Sequence, residues 1–318
     1  MRKIYCFGEA VYDIIFKNEK PVDAKPGGAM LNISVSLGRL GLPVSFVGDF
    51  ANDKVGHIIK DFLNGNHVDT KNITMYTNAK SRIALAFLDE VNNADYSFYK
   101  IRVDDKLHID FPDIKEDDIL LFGSYYGIKP EIRGMVTDFL KQAKKNKAVI
   151  VYDPNFRLAH LKMLSQVKPF IEENISLADI TKGSNEDFAN IFNTRDAAET
   201  YKIVKGLGCG SLIYTQNRYG VDYCSDGFTF HHPAIGMHPL STVGAGDTFV
   251  AGMAWWLFEK GIKLSDIKNL KQADYTDMIG MAVKFASDVC MSYDNYISDE
   301  FAKGLQLHSK NQEAIPKP

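Results

Sequence analysis

The run "STVGAGDTF", residues 241–249, sets two glycines around an alanine and follows them with an acid and an apolar helical pattern. Apolar residues at 249, 250, 253, 254, 257 and 258 fall on one face of a helix that starts near Asp247 and stops at Gly261. Gly244, Ala245 and Gly246 then stand just ahead of its first turn. Their backbone N–H groups and the helix dipole suit a phosphate, or the charge that develops on one in transfer. The acid has two readings. Asp is a good residue for a helix N-terminus. It is also the base that a hydroxyl needs when it attacks a phosphoryl group held by those N–H groups.

A second segment, "KPGGAMLNISVSLGRLG" (25–41), places Gly27 and Gly28 before a helix and Asn32 one turn inside it. Paired glycines let backbone approach a small polar ligand, and Asn32 offers a donor and an acceptor to hydroxyl groups. The plain alternative is an ordinary turn and an Asn in a helix interior.

The elements that must carry these residues alternate. "KIYCFGEA", "VSFVGDF", "DILLFGSY", "AVIVYDP" and "SLIYTQN" have the length and apolarity of strands. "AMLNISVSLGRLG", "EIRGMVTDFLKQAKKN", "DAAETYKIVKGLG" and "DTFVAGMAWWLFEKG" have helical periodicity. Near-continuous apolar strands between helices imply a parallel sheet covered on both faces, an α/β fold. "SRIALAFLDEVNNADYSFYK" (81–100) differs. Two alternating runs around "VNNAD" predict a hairpin, a small β-flap over a site. The end, "HSKNQEAIPKP", reads as a polar, frayed tail.

The bulk numbers limit the class. With 318 residues and 45% hydrophobic residues the chain can build a large core. A formal net charge of −3 leaves no basic footprint for nucleic acid. Cys6, Cys209, Cys224 and Cys290 are far apart and form no C-x-x-C pair, which fits reduced thiols in a cytoplasmic protein. Glu9 and Asp13 interrupt the apolar N-terminal run, so it reads as a first strand and not as a signal peptide. No apolar run reaches the roughly 18 residues of a membrane span.

Taken together and in order, these segments resemble the ribokinase-like (phosphofructokinase-B type) carbohydrate kinases, closest in look to the fructokinase branch. The resemblance covers roughly residues 3 to 300. "FGEAVYDII" looks like the family's first strand, "ALAFLDE…SFYK" like its lid hairpin and "VYDPNFR" like its D-P-N-x-R segment. "TKGSNEDF" stands in the place of N-x-x-E, and "TQNRYG" in that of T-x-G-x-x-G. The resemblance implies a three-layer αβα sandwich with a mostly parallel central sheet. It implies a kinase domain over residues 1–306, a β-lid from about 10–24 and 79–105, and a tail over 307–318.

The same resemblance implies ATP and Mg²⁺ as cofactors and a sugar hydroxyl as acceptor. Asp247 becomes the catalytic base, and Gly244, Ala245 and Gly246 the anion hole. Asp13, Gly28 and Asn32 become sugar ligands, with Arg157 a neighbour of the site. Thr215 and Gly220 approach the ATP phosphates or ribose, with Asn217 in the same turn, and Ser184 and Asp187 take the place that meets a metal-bound water. Four positions and one segment depart from the family's pattern. Ser184 and Asp187 replace Asn and Glu, Asn217 replaces a glycine, Ser241 replaces an acid, and "CMSYDNYIS" lacks a small-residue segment near the adenine. No resident metal ion is implied by the protein's own side chains. The missing acid at Ser241 leads us to expect turnover nearly independent of K⁺.

Other signals carry less. "GLGCG" (206–210) follows a helix and precedes a strand, the reverse of a dinucleotide loop, and position 211 is Ser. His231, His232 and His238 match no usual zinc spacing. Trp255 and Trp256 read as packing residues. Lys100, where the sugar-acid branch tends to have Arg, tilts the acceptor toward a neutral ketose such as fructose. A 2-keto-3-deoxygluconate kinase or ribokinase-type activity is the alternative, since Arg157 could meet a carboxylate. A degenerate sugar-binding protein without kinase activity is the rival from another class. A homodimer through the exposed lid sheet is expected, with no nucleic-acid or membrane partner.

Overall fold

The computed structural model describes residues 2–90, 94–99 and 108–313, leaving aside the side chains of 94–96 and 308–313. Along the chain the first elements are β1 (Ile4–Phe7), β2 (Val11–Lys17), β3 (Lys20–Gly27), α1 (Ala29–Arg39), β4 (Val44–Ala51), α2 (Lys54–Gly65) and β5 (Ile73–Tyr76). Then come β6 (Ile83–Leu88), β7 (Ala94–Tyr99), β8 (Ile119–Gly123), α3 (Arg133–Lys145), β9 (Val149–Asp153), α4 (Leu164–Leu177), β10 (Ile180–Ser184) and α5 (Asn185–Phe192). The last are α6 (Ala197–Gly206), β11 (Ser211–Thr215), β12 (Val221–Ser225), β13 (Thr229–His232), α7 (Ala245–Glu259), α8 (Leu264–Ile267), α9 (Gln272–Cys290) and α10 (Asp299–Glu313).

The large sheet runs β13-β12-β11-β10-β9-β8-β1-β4-β5. From β11 to β5 every pairing is parallel; β12 reverses the direction and β13 pairs antiparallel with it. Alternation along β1 shows the layering. Ile4 and Cys6 join the core under α1, α2, α7, α9 and α10, while Tyr5 and Phe7 join the core under α3 to α6. Both faces are covered, as the continuous apolar strands require. All four cysteines lie buried and unpaired.

A second sheet, β3-β2-β6-β7, has antiparallel outer pairs and a parallel central pair, Tyr12 opposite Ile83. Of the predicted hairpin, β6 and β7 pair from Ile83↔Tyr99 to Leu88↔Ala94; residues 91–93 of its turn and Lys100 lie outside the described residues. The root of β6 is pinned to the large sheet. Arg82 reaches Asp49 of β4 through both side-chain oxygens at 3.0 and 2.9 Å, and Glu9 at 3.2 Å. Tyr126 donates its hydroxyl to the same Asp49. Arg82, Asp49 and Glu9 are largely hidden from solvent, and breaking such a buried pair typically costs about 3–5 kcal/mol. Residues expected to fray also take part in α10, which continues through Glu313.

Candidate active site

The site lies along the carboxyl ends of the parallel strands, the edge where open α/β sheets receive ligands. Two helix N-termini face it. α1 has Gly28 as its N-cap and α7 has Gly244, and neither has a side-chain cap bond. Gly28 holds φ 115° and Gly244 φ 82°, conformations that L side chains rarely adopt. Their close neighbours add a second constraint. A Cβ on Gly28 would come within 2.4 Å of Glu9 O, and one on Gly244 within 2.6 Å of Asn295 O.

Asp247 sits in the first turn of α7 and does not cap it. Asn32 Nδ2 donates to Asp247 Oδ2 at 2.8 Å, and Asn155 Nδ2 to Asp247 Oδ1 at 3.4 Å. Burial raises the proton affinity of this carboxyl, against the pull of the Asn32 bond and of the Arg157 and Lys182 charges. Asn32 Oδ1 is buried and has no partner, an acceptor left open. Asp13 on β2 is buried too. Desolvation pushes its carboxyl up to about 7, opposed by Lys25 and aided by Asp247. Arg157 is exposed at the start of the 158–163 turn, and its charge is felt at Asp247.

The fold brings here three residues given no role in the sequence reading, although Asp153 and Asn155 stand in "VYDPNFR" and Lys182 in "TKGSNEDF". Lys182 Nζ bonds Asp153 Oδ2 at 2.9 Å, both nearly sealed from solvent, and lies 3.3 Å from where a Cβ of Gly246 would stand. Burial works against the Lys182 charge, but Asp153, Asp187 and Asp247 outweigh it and hold the ammonium above its ordinary range. Burial likewise pushes Asp153 up to about 6 despite Lys182. Asn155, two residues on, completes the set. A signal was available: a lysine and an acid at the ends of apolar strand runs are buried only when paired. What joins them is 29 positions of separation across β9 and β10.

The remaining predicted residues are more dispersed. Ser184 and Asp187 form the capping box of α5: Ser184 N–H and Oγ–H donate to Asp187 Oδ2 at 2.8 and 2.7 Å, and Phe156 N–H donates to Oδ1 at 2.6 Å. Thr215 donates its hydroxyl to Gly183 O at 3.3 Å. Asn217 takes φ 49°, a left-handed conformation that Asn tolerates, so the turn keeps the form a glycine would give it. Gly220 closes that turn, donating N–H to Asn217 O at 3.2 Å. Ser241 Oγ accepts from Val243 N–H at 3.2 Å. His231 bonds Asp222 at 2.7 Å, and no cluster of three or more His, Cys, Asp or Glu among the described residues could hold a metal ion. Trp256 is buried with its Nε1 on Asp277 at 2.8 Å, and Trp255 packs on Phe285.

Residues 1–300 match the pfkB family of carbohydrate kinases. The chain belongs to that family. It is a sugar kinase with a ribokinase-like fold, a large mostly parallel sheet flanked by helices beside a smaller sheet. It is 29% identical over 257 residues to a probable fructokinase-5 of Arabidopsis thaliana, covering 78% of each chain. It is 24% identical over 255 residues to a fructokinase of Vibrio alginolyticus, covering 80% of this chain and 83% of the other. A Vibrio cholerae fructokinase with fructose, ADP and calcium ion bound superposes with TM-score 0.83 at 20% identity, over 96% of this kinase and 98% of the other. An aminoimidazole riboside kinase of Salmonella enterica, complexed with aminoimidazole riboside and an ATP analogue, gives TM-score 0.80 at 20% identity, over 97% and 100% of the two chains.

A buried acid with raised proton affinity has a stability signature. The fold prefers its protonated form. The penalty for ionising it is therefore absent below its unfolded value and grows as pH rises from there to about 7 for Asp13. A tenfold change in proton affinity corresponds to about 1.4 kcal/mol, so the penalty is on the order of a few kcal/mol. The Asp13→Asn variant of this kinase is accordingly expected to melt several degrees above wild type at pH 8.5 without ligands. The gap should narrow as pH falls and nearly close by pH 4. Equal melting temperatures at pH 8.5 would contradict the assignment; differential scanning calorimetry measures it.

Proposed function

We propose that this kinase transfers the γ-phosphoryl of ATP to a hydroxyl of a fructose-like sugar, with Asp247 as general base. The observation that carries the reading is the use of Asp247: the carboxylate is buried at a helix N-terminus yet engaged with Asn32 and Asn155 and not with a cap. Its raised proton affinity suits proton removal near neutral pH. The N–H groups of Gly244, Ala245 and Gly246 would hold the transferring phosphoryl, with the buried Lys182 ammonium adding charge behind Gly246. Asp13, the backbone at Gly28 and the open Asn32 Oδ1 would take sugar hydroxyls, with Arg157 at the rim.

The nucleotide would run from Gly244 past Thr215, Asn217 and Gly220. A groove of about 640 Å³ on α9, lined by Gln272, Thr276, Gly280, Met281 and Lys284, continues that path. His232 joins the two, close to both Gly220 and Gly280. Mg²⁺ arriving on the ATP phosphates would neutralise their charge. Asp187 is committed to its helix cap, whereas Asn185 Oδ1 is buried and without a partner, which suits a metal-bound water. The four-stranded sheet of β3, β2, β6 and β7 would act as a lid that excludes water. Unpaired, buried cysteines suit a cytoplasmic setting.

Four results are expected. A coupled ADP-release assay over fructose, ribose and 2-keto-3-deoxygluconate should show turnover, fastest with fructose. Asp247→Asn should then lower kcat by a factor of order 10²–10⁴. Wild-type kcat in that variant would reduce Asp247 to a structural role.

Turnover should also be nearly unchanged when KCl is replaced by tetramethylammonium chloride at constant ionic strength. The Ser241 hydroxyl already satisfies Val243 N–H, and it brings no carboxylate for a hard cation. Several-fold activation by K⁺ would refute this.

Finally, Phe87 and Tyr99 stand 41 and 58% exposed on one face of the small sheet. A second copy covering them makes a homodimer, and sedimentation equilibrium should give twice the chain mass. A monomer at micromolar concentration would rule it out.

A further inference from the structure

The back of the Gly244 turn is shaped by residues 291–295, between α9 and α10. At the near end, Cys290 O accepts from Leu240 N–H at 2.8 Å and Ser241 N–H at 3.5 Å. Asn295 backbone lies against Gly244, leaving no room for a side chain there. At the far end, Ile297 N–H donates to Ser36 Oγ at 3.3 Å and Arg39 Nη1 donates to Ile297 O at 2.8 Å, so α1 anchors that limb. The tip between them is exposed at Met291 and Tyr293. It is met from the small sheet. Lys25 Nζ donates to Tyr293 O at 2.8 Å and lies 2.9 Å from Asp23 and 3.7 Å from Asp294.

Lys25 is buried, and on β3 it stands in register with Asp13 of β2. One side chain therefore starts beside the acid on the sugar side and ends on the turn that backs the phosphate side. Its charge is already met by one carbonyl and two carboxylates, so it is not offered to a ligand.

We propose that Lys25 is a positioning residue that braces the anion hole from the lid sheet. The proposal rests on the reading of Gly244–Gly246 as the phosphate site. Asn295 touches Gly244 at contact distance, so a tip that relaxes lets the Gly244 turn relax with it. Hydrogen bonds from fixed N–H groups to a phosphate weaken steeply with distance and angle. Loss of Lys25 thus weakens a nucleotide that Lys25 never touches.

The test is a calorimetric titration of the full chain with Mg²⁺ and the non-hydrolysable analogue AMP-PNP, without any sugar. Wild type, Lys25→Met, Lys25→Arg and Gly244→Ala are compared. Lys25→Met should bind about tenfold more weakly, the scale of one charge-assisted hydrogen bond. Lys25→Arg, which keeps a charged donor, should return to within about threefold of wild type. Gly244→Ala should bind more weakly than either. Normal binding by Lys25→Met beside weak binding by Gly244→Ala overturns the brace and leaves the hole standing. Normal binding by all variants removes the hole itself, and the brace with it. A role confined to the Asp13 pair would raise the fructose KM alone, which also overturns the proposal. If Lys25→Met lacks the wild-type circular dichroism spectrum, Lys25→Gln replaces it, with a smaller loss expected and unchanged affinity counting against.

Discussion

The hydrogen bond from Asn32 to Asp247 sets the distance between two helix N-termini, and the site is built around that distance. α1 and α7 both begin at a glycine without a side-chain cap, so both present open N–H groups and a positive dipole end to the same volume. Such ends repel unless something negative stands between them. Asp247 supplies part of that charge from within α7. The rest of the volume stays open, and the arrangement explains how an acid can stand in the same turn as uncapped helix N–H groups. Asn32 serves both sides: its amide nitrogen holds the Asp247 carboxylate and its oxygen remains open.

This centre is costly to build. Asp13, Asp153 and Asp247 are all buried, and burial raises the proton affinity of each. Lys182 offsets the burden at Asp153, and Lys25 does so at Asp13. Neither neutralises it. Two apolar cores, one on each side of the large sheet, carry the cost. Charged groups held apart from water and poised against one another are a recurrent mark of catalytic sites, where stability is given up for chemistry.

Much of this was legible in the sequence, for identifiable reasons. β1, β4, β8, β9 and β11 are buried on both faces, so they read as apolar runs, and α7 declared itself by glycines at its start. β3 did not: "KPVDAKPG" is polar with an exposed first half, and only its pairing with β2 makes it a strand. β13 is a short, half-exposed edge strand, and β12 beside it is short and interrupted by Asp222, so neither has much pattern to detect. Asn32 and Asp247 stand out because glycine motifs precede them, and Asp13 through the resemblance of "FGEAVYDII" to the family's first strand. Lys182, Asp153 and Lys25 do not, because each acquires its meaning from a partner far along the chain. Ser184 and Asp187 carry a second signal beside their place in the motif. Their S-x-x-D spacing is a capping box in its own right, a local signal easily outweighed by a motif's position.

The four buried thiols give the molecule a property unrelated to phosphoryl transfer. Burial pushes the proton affinity of each upward, so little thiolate exists in the native state. A water-soluble alkylating reagent then reacts only as fast as the fold opens. Cys6 sits on β1 in the core under α1, α2, α7, α9 and α10, Cys209 and Cys224 in the core under α3 to α6, and Cys290 at the end of α9 beside the turn that backs Gly244. The chain thus carries its own set of depth markers, and the order in which they become labelled traces which layer loosens first.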